Sequence, residues 1–179
     1  MINVSEIITS APKIFKTPLQ EQVYNTLQQL NIPFERVDTD EAITMEDCIA
    51  IGEKLNCKVV KTLFLCNRQK TSFYLFITTD DKPFVTKDFS QALGISRVSF
   101  APEELLLEMV GVKIGATTIF GALLDSENKI RIVIDNDVLN EEYYGCSDGT
   151  TTGYMKVKTN DIFNEFLQYT KHSPTVIEV

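Results

Sequence analysis

The chain is poor in the residues that most often carry metal or thiol chemistry. It holds a single histidine, His172, so no multi-histidine metal site can be built. Its four cysteines, Cys48, Cys57, Cys66 and Cys146, include no C-x-x-C pair, and their spacing matches no zinc pattern. Free buried thiols and the absence of a metal are therefore expected. No apolar run approaches the ~20 residues that span a bilayer. The opening Met1-Ile2-Asn3-Val4-Ser5-Glu6 has no basic n-region, so a cytoplasmic protein with no membrane partner is expected. Positive charge is scarce as well: 17 Lys and Arg face 25 Asp and Glu, for a net charge of −8. That excludes a protein that coats nucleic acid through its phosphates. Short basic clusters at Lys58/Lys61, Arg68/Lys70 and Lys82/Lys87 still allow a weak, local contact with one RNA end. No glycine pattern matches a phosphate-binding fingerprint, and there is no internal repeat or low-complexity tract.

What remains is an ordinary globular composition, 44% hydrophobic and 23% charged over 179 residues, enough for one domain with a real core. Residues 1–16 are irregular and read as an N-terminal arm, and residues 17–179 as the domain. Thr17-Pro18-Leu19-Gln20 starts a helix over 18–30, with Thr17 as cap and Gln20 closing a capping box. Residues 32–37 alternate like a strand. Thr44 caps a helix running to about Leu55, with Cys48, Ile51 and Leu55 inward. Strands over 58–66 and 72–79 are separated by a polar turn, as in a hairpin. A helix from Lys87 to Leu93 stops at Gly94, and another from Pro102 stops at Gly111. Strands follow at 97–100, 130–134 and 154–157, and Thr159 caps a last helix. The pattern predicts an α/β fold: one domain, with a mixed, mostly antiparallel sheet curved around a pocket and about five helices outside.

Three features could carry chemistry. Lys61 interrupts the apolar run Val59-Val60-Lys61-Thr62-Leu63-Phe64-Leu65-Cys66. An ammonium there must be solvated, paired or used, because burying it alone costs several kcal/mol; the plain alternative is an edge lysine with its head in water. Gly115-Ala116-Thr117-Thr118 offers close-set backbone N–H donors, with a glycine that lets a ligand approach the main chain. Those are the ingredients for holding a carbonyl or an incipient oxyanion. Gly145-Cys146-Ser147-Asp148-Gly149-Thr150-Thr151-Thr152-Gly153 reads as a loop that adds hydroxyls and one carboxylate. Both segments could equally be surface turns. A Cys146 nucleophile would need His172 as its base, and no spacing rule joins the two.

Taken together, Cys57-Lys58-x-x-Lys61-Thr62-Leu63-Phe64-Leu65, Tyr74-Leu75-Phe76, Phe100-Ala101-x-Glu103-Glu104-Leu105, Gly115-Ala116-Thr117-Thr118-x-Phe120-Gly121-x-Leu123 and Asp161-Ile162 through Phe166-Leu167 resemble the YbaK-type aminoacyl-tRNA editing family. That family includes the editing domain of bacterial prolyl-tRNA synthetases and its free-standing relatives. The resemblance runs from about residue 20 to 174 and is nearest to the proteins that remove alanine wrongly attached to the proline tRNA. It implies a deacylase without metal or cofactor. Lys61 would hold the acceptor end or polarise the site, and Gly115 would anchor the amides that take the aminoacyl carbonyl. Ala116, Thr117, Thr118 and Phe120 would contact substrate together with Ser147, Asp148, Thr150, Thr151 and Thr152. Water would attack with help from the vicinal ribose hydroxyl. The implied partners are a tRNA acceptor end and prolyl-tRNA synthetase, for a monomer or homodimer. Two departures stand out: family members commonly carry a proline where this chain has Ile119, and a His-Pro pair near 145–147 that is missing here. They leave open a catalytically silent binding module of the same fold, sensing an aminoacylated end or a free amino acid.

Overall fold

The computed structural model describes residues 1–42 and 44–179. Local signals set the helix starts. Thr17 Oγ1 accepts from the Gln20 amide and opens α1, Pro18–Gln29. The Gln20 side chain does not close a box on Thr17; its oxygen accepts from the Lys16 amide and its NH2 is used elsewhere. Thr44 and Asp47 form a reciprocal capping box on α2, Met45–Leu55, whose Ile51 and Leu55 are buried while Cys48 is half-buried. Helix α3, Thr86–Leu93, ends at Gly94 with φ 66°, and α4, Glu103–Leu105, widens into π-type turns over Leu106–Val110 that stop at Gly111 with φ 76°. Both glycines adopt the left-handed conformation that closes a helix at least cost.

Eight strands divide between two sheets. β1 (Glu35–Asp38), β7 (Gly153–Lys158) and β6 (Tyr143–Ser147) form an antiparallel sheet in that order. β4 (Val98–Phe100), β2 (Lys61–Asn67), β3 (Phe73–Thr78), β5 (Ile130–Asp135) and β8 (Thr175–Ile177) form the other. β2 and β3 are the expected hairpin, Lys61 opposite Thr78 through Cys66 opposite Phe73, while β3–β5 and β5–β8 run parallel. Four of the six pairings are antiparallel, so the fold is a mixed α/β domain. A parallel bridge between Val59 and Gly145 joins the sheets, with the Val60 amide 2.8 Å from the Gly145 carbonyl.

Two sequence expectations change here. Gly145-Cys146-Ser147 belongs to strand β6 rather than to a loop. A Cβ at Gly145 would lie 2.7 Å from the Lys58 carbonyl, so the glycine is what lets the two backbones meet at the seam. Thr159 does not cap the last helix; its hydroxyl is buried without a partner, and the segment continues as wide turns over Asp161–Phe166 before α6, Leu167–Tyr169. A short α5, Asn136–Leu139, follows β5.

The five-stranded sheet is apolar on both faces, which explains the unbroken hydrophobic runs of β2 and β3. Leu75 and Ile77 join the main core with α1, Phe120 and Phe166. Tyr74 and Phe76 point the other way and pack on Phe89 of α3, the Phe76 and Phe89 rings 4.8 Å apart. Each such buried side chain contributes roughly 1.5–3 kcal/mol. The segment before α1 lies along β1 through bridges at Val4–Thr39 and Ile8–Arg36, and the Arg36 Nε donates to the Ser10 carbonyl.

Candidate functional site

At the seam between the sheets lies a cavity of about 460 Å³. It is lined by Val59, Val60 and the first half of β2, Lys61 to Phe64, and by Ile114, Gly115 and Thr117. Cys146 and Ser147 of β6 and Tyr154 of β7 close the floor; Cys48, Phe100, Ala101 and Leu106 complete the lining. The opening exists because β4 pairs only with Leu65, Cys66 and Asn67, leaving the first half of β2 uncovered on that side.

Lys61 is the first residue of β2, where the strand emerges from the sheet. Its side chain is half-buried, and its ammonium donates to the Lys82 carbonyl. The apolar run thus tolerates the charge because the head is hydrogen-bonded at the strand's open end. Gly115 has φ 92°, a conformation that strains any residue with a Cβ. The Ala116 amide closes the preceding turn on the Lys113 carbonyl at 3.1 Å, and the Phe120 amide leans on Thr118 Oγ1. Among the described residues, the amides of Gly115 and Thr117 carry no protein partner, and these two residues line the cavity. The cradle is therefore narrower than the sequence suggests.

Of the other predicted site residues, only Ser147 belongs to the lining. Ala116, Thr118 and Phe120 are buried: Thr118 Oγ1 donates to the Ser147 carbonyl at 2.8 Å, and the Phe120 ring packs edge-on to Phe166 at 5.1 Å. Ser147 lines the cavity, but its hydroxyl donates to the Thr150 carbonyl at 2.6 Å. Asp148 is only 1% exposed and faces away from the cavity lining. Its Oδ2 accepts from Gln20 Nε2 at 2.9 Å and Tyr24 Oη at 2.8 Å, and its Oδ1 from the Thr150 amide at 3.1 Å and hydroxyl at 2.7 Å. Thr150 is thereby committed to Asp148, and Thr152 accepts from Lys16 Nζ at 2.6 Å. Thr151 borders the site, its methyl 3.7 Å from where a Cβ on Gly115 would stand.

Cys146 and His172 are not brought together. Burial first, then the Asp148 charge, pushes the Cys146 thiol well above its ordinary value despite a hydrogen bond with Thr118. His172 is buried beside Asp125, its Nε2 2.8 Å from that carboxylate, among residues that do not line the cavity. Among the described residues no cluster of three metal-ligating side chains exists. Cys48, Phe100, Ala101, Leu106, Ile114 and Tyr154 are lining residues that sequence reasoning did not select. Nothing in their pattern marks them: Phe100 and Ile114 read as core residues, yet they are 60% and 67% exposed and line the cavity.

The cavity is lined by Lys61 and, among the described residues, by two amides without a protein partner and no activated side-chain nucleophile, groups suited to holding a carbonyl rather than attacking it. Residues 39–164 match the model of the aminoacyl-tRNA editing domain, and the chain belongs to that family. It is 27% identical over 161 residues to the prolyl-tRNA synthetase associated domain-containing protein 1 of Danio rerio, covering 89% of this chain and 86% of that one. It is 26% identical over 120 residues to the prolyl-tRNA editing protein ProX of Acetoanaerobium sticklandii, covering 67% of this chain and 73% of that one. A solved structure described as a candidate trans-editing enzyme for prolyl-tRNA synthetase superposes with a TM-score of 0.64 at 15% identity, covering 92% of this chain and 99% of that one. A computationally designed epitope scaffold superposes with a TM-score of 0.67 at 14% identity, covering 91% and 98%, so that likeness speaks for the fold alone. No helix among the described residues is long and apolar enough to cross a membrane.

Proposed function

We propose that this chain is a trans-editing deacylase that hydrolyses the ester of a mischarged tRNA, with alanine on the proline tRNA as its substrate. The observation that carries this is the meeting of Lys61 and Gly115, 54 residues apart in sequence by their numbers, on the walls of one cavity. Membership of the editing family and the names of the relatives, which refer to prolyl-tRNA synthetase and prolyl-tRNA editing, support the substrate. In this reading the Gly115 and Thr117 amides take the aminoacyl carbonyl, and Lys61 holds the acceptor end with the ammonium protons not given to Lys82. Water bonds to the carbonyl carbon, helped by the vicinal ribose hydroxyl. The ester C–O bond then breaks, and the ribose oxygen leaves carrying a proton. Removing one oxyanion donor from such a site costs about 10²–10³ in rate. The partners are the tRNA acceptor end, through a weak local contact, and prolyl-tRNA synthetase as the source of the error.

A silent binding module is the second reading, favoured by Ile119 and by the missing His-Pro pair. One experiment separates them: the purified protein is incubated with a panel of mischarged tRNAs, and calorimetry is run with non-hydrolysable aminoacyl-adenosine analogues. Turnover with alanyl-tRNA for proline is expected. Binding without turnover of any member would replace the enzyme with the module, and neither binding nor turnover would reject both.

A further inference from the structure

Lys82 lies outside the cavity lining, yet it is tied more tightly than any other lysine described here. Its ammonium contacts Asp135 Oδ2 at 2.8 Å, Asp137 Oδ2 at 2.7 Å and the Val179 carbonyl at 2.8 Å. Asp135 is 1% exposed and also accepts from Thr78 Oγ1 at 2.7 Å, so the anchor is part of the sheet itself. Burial works against the charged form of Lys82, but the two carboxylates outweigh it and hold its pKa above the ordinary lysine value. The backbone of Lys82 is fixed from two more directions. Its amide donates to the Thr79 carbonyl at 3.4 Å, and Pro83 after it restricts its conformation to the extended region. The carbonyl so oriented is the one that accepts from Lys61 Nζ.

We infer that Lys82 is a positioning residue: its clamp on Asp135 and Asp137 fixes the carbonyl that aims the Lys61 ammonium at the substrate. Lys61 stands on a flexible four-carbon stem with three donors. One donor held by a rigid carbonyl leaves the remaining two in a set direction, and the ordering cost is met before substrate arrives. The role of Lys61 toward substrate rests on the proposed deacylase reading; the clamp itself does not.

The test therefore has a readout that needs no activity. The folded protein is treated with trace acetic anhydride, and acetylation of each lysine is followed by peptide mass spectrometry. Lys70, exposed and with no ion pair among the described residues, serves as reference. Lys61 is expected to react about tenfold more slowly than Lys70, the size of one charge-assisted hydrogen bond. Lys82→Met should raise Lys61 reactivity toward the reference and lower kcat for deacylation about tenfold with KM little changed. Lys82→Arg, which can still reach both carboxylates, should restore most of the protection. Should Lys82→Met fail to fold with Asp135 left uncompensated, Asp137→Asn removes only the half-exposed partner and should raise Lys61 reactivity about threefold. Lys61 reacting as fast as Lys70 in the wild type, or unchanged in a folded Lys82→Met or Asp137→Asn protein, would overturn the clamp. Absence of deacylation of every mischarged tRNA would instead reject the enzymatic reading, while the acetylation pattern still decides the role of Lys82.

Discussion

Asp148 offers the sharpest check on how the site is held. Its buried carboxylate has no basic partner among its hydrogen bonds and is neutralised by four donors from three residues, Gln20, Tyr24 and Thr150. Gly153 makes room for it: a Cβ there would lie 2.2 Å from Asp148 Oδ2. In Asp148→Asn one oxygen becomes an NH2 group. The Tyr24 and Thr150 hydroxyls can rotate to accept from it, but the Thr150 amide and the Gln20 NH2 cannot. Gln20 cannot flip freely either, because its oxygen accepts from the Lys16 amide at 2.7 Å. Either orientation of the asparagine thus strands one buried donor, at about 1–3 kcal/mol, and turns charge-assisted bonds into neutral ones. Asp148→Asn should cost ~3 kcal/mol, a fall in Tm of about 6–12 °C for a domain of this size. Asp148→Ala should cost ~4 kcal/mol or more. With no tryptophan in the chain, urea unfolding is best followed by circular dichroism. Tyr24→Phe should couple to Asp148→Asn by about 1 kcal/mol in a double-mutant cycle. An Asp148→Asn protein within about 0.5 kcal/mol of wild type would refute the hub and return Asp148 to the candidates for substrate contact.

Lys61→Ala should abolish deacylation and leave the fold intact, and Lys61→Arg should fail in large part because a planar guanidinium cannot replace a compact ammonium; wild-type rates in both would make Lys61 a solvated strand end. Gly115→Val should cost ~1–2 kcal/mol from φ 92° and block the carbonyl's approach, so an active, fully stable variant would reduce the loop to a turn. Alkaline stability follows from the buried acids. Burial raises Cys57 to about 11 and lifts the Tyr24 and Tyr154 hydroxyls above their ordinary values. The unfolded chain loses these protons first, so the urea midpoint should hold to about pH 8.5 and fall from about pH 9 upward; a midpoint that rises over that interval would contradict the burial of these groups.

How far the sequence could be read depended on the range of the interaction. Thr17 and Thr44 act on amides three residues away, and Gly94 and Gly111 on their own helices, so those ends were legible. The hairpin of β2 and β3 was legible because a short polar turn links two apolar runs. The parallel partners were not: β5 meets β3 across more than fifty residues, and Thr175–Ile177 is a three-residue strand with no pattern of its own. Gly145-Cys146-Ser147 looked like a loop because it lacks apolar side chains, yet it is a strand because the Lys58 backbone needs the space a side chain would take. Asp148 looked like a substrate contact for its company of Ser, Gly and Thr. The signal against that was in α1, where Gln20 and Tyr24, one turn apart, set polar atoms beside the buried stripe of Leu19, Val23 and Leu27.

The departures from the family pattern bear on the choice between enzyme and silent module, and the structure gives each a physical meaning. Ile119 is the first residue of a 3-10 helix, Ile119–Leu124, with Thr118 as its cap. At that position the amide has no partner within the helix, so proline and a residue with an N–H serve equally well. Ile119 is also fully buried, facing the core rather than the cavity, so its presence leaves the Gly115 and Thr117 amides where they are. The stretch where the family resemblance leads one to expect a His-Pro pair begins on β6, whose Cys146 and Ser147 line the cavity. Burial keeps the Cys146 thiol protonated there. Under the proposed deacylase reading, that composition would shape the pocket for the amino-acid side chain while leaving Lys61 and the Gly115 and Thr117 amides in place. On the same reading, the two departures would therefore act on which amino acid is accepted and leave in place the groups proposed to polarise its ester.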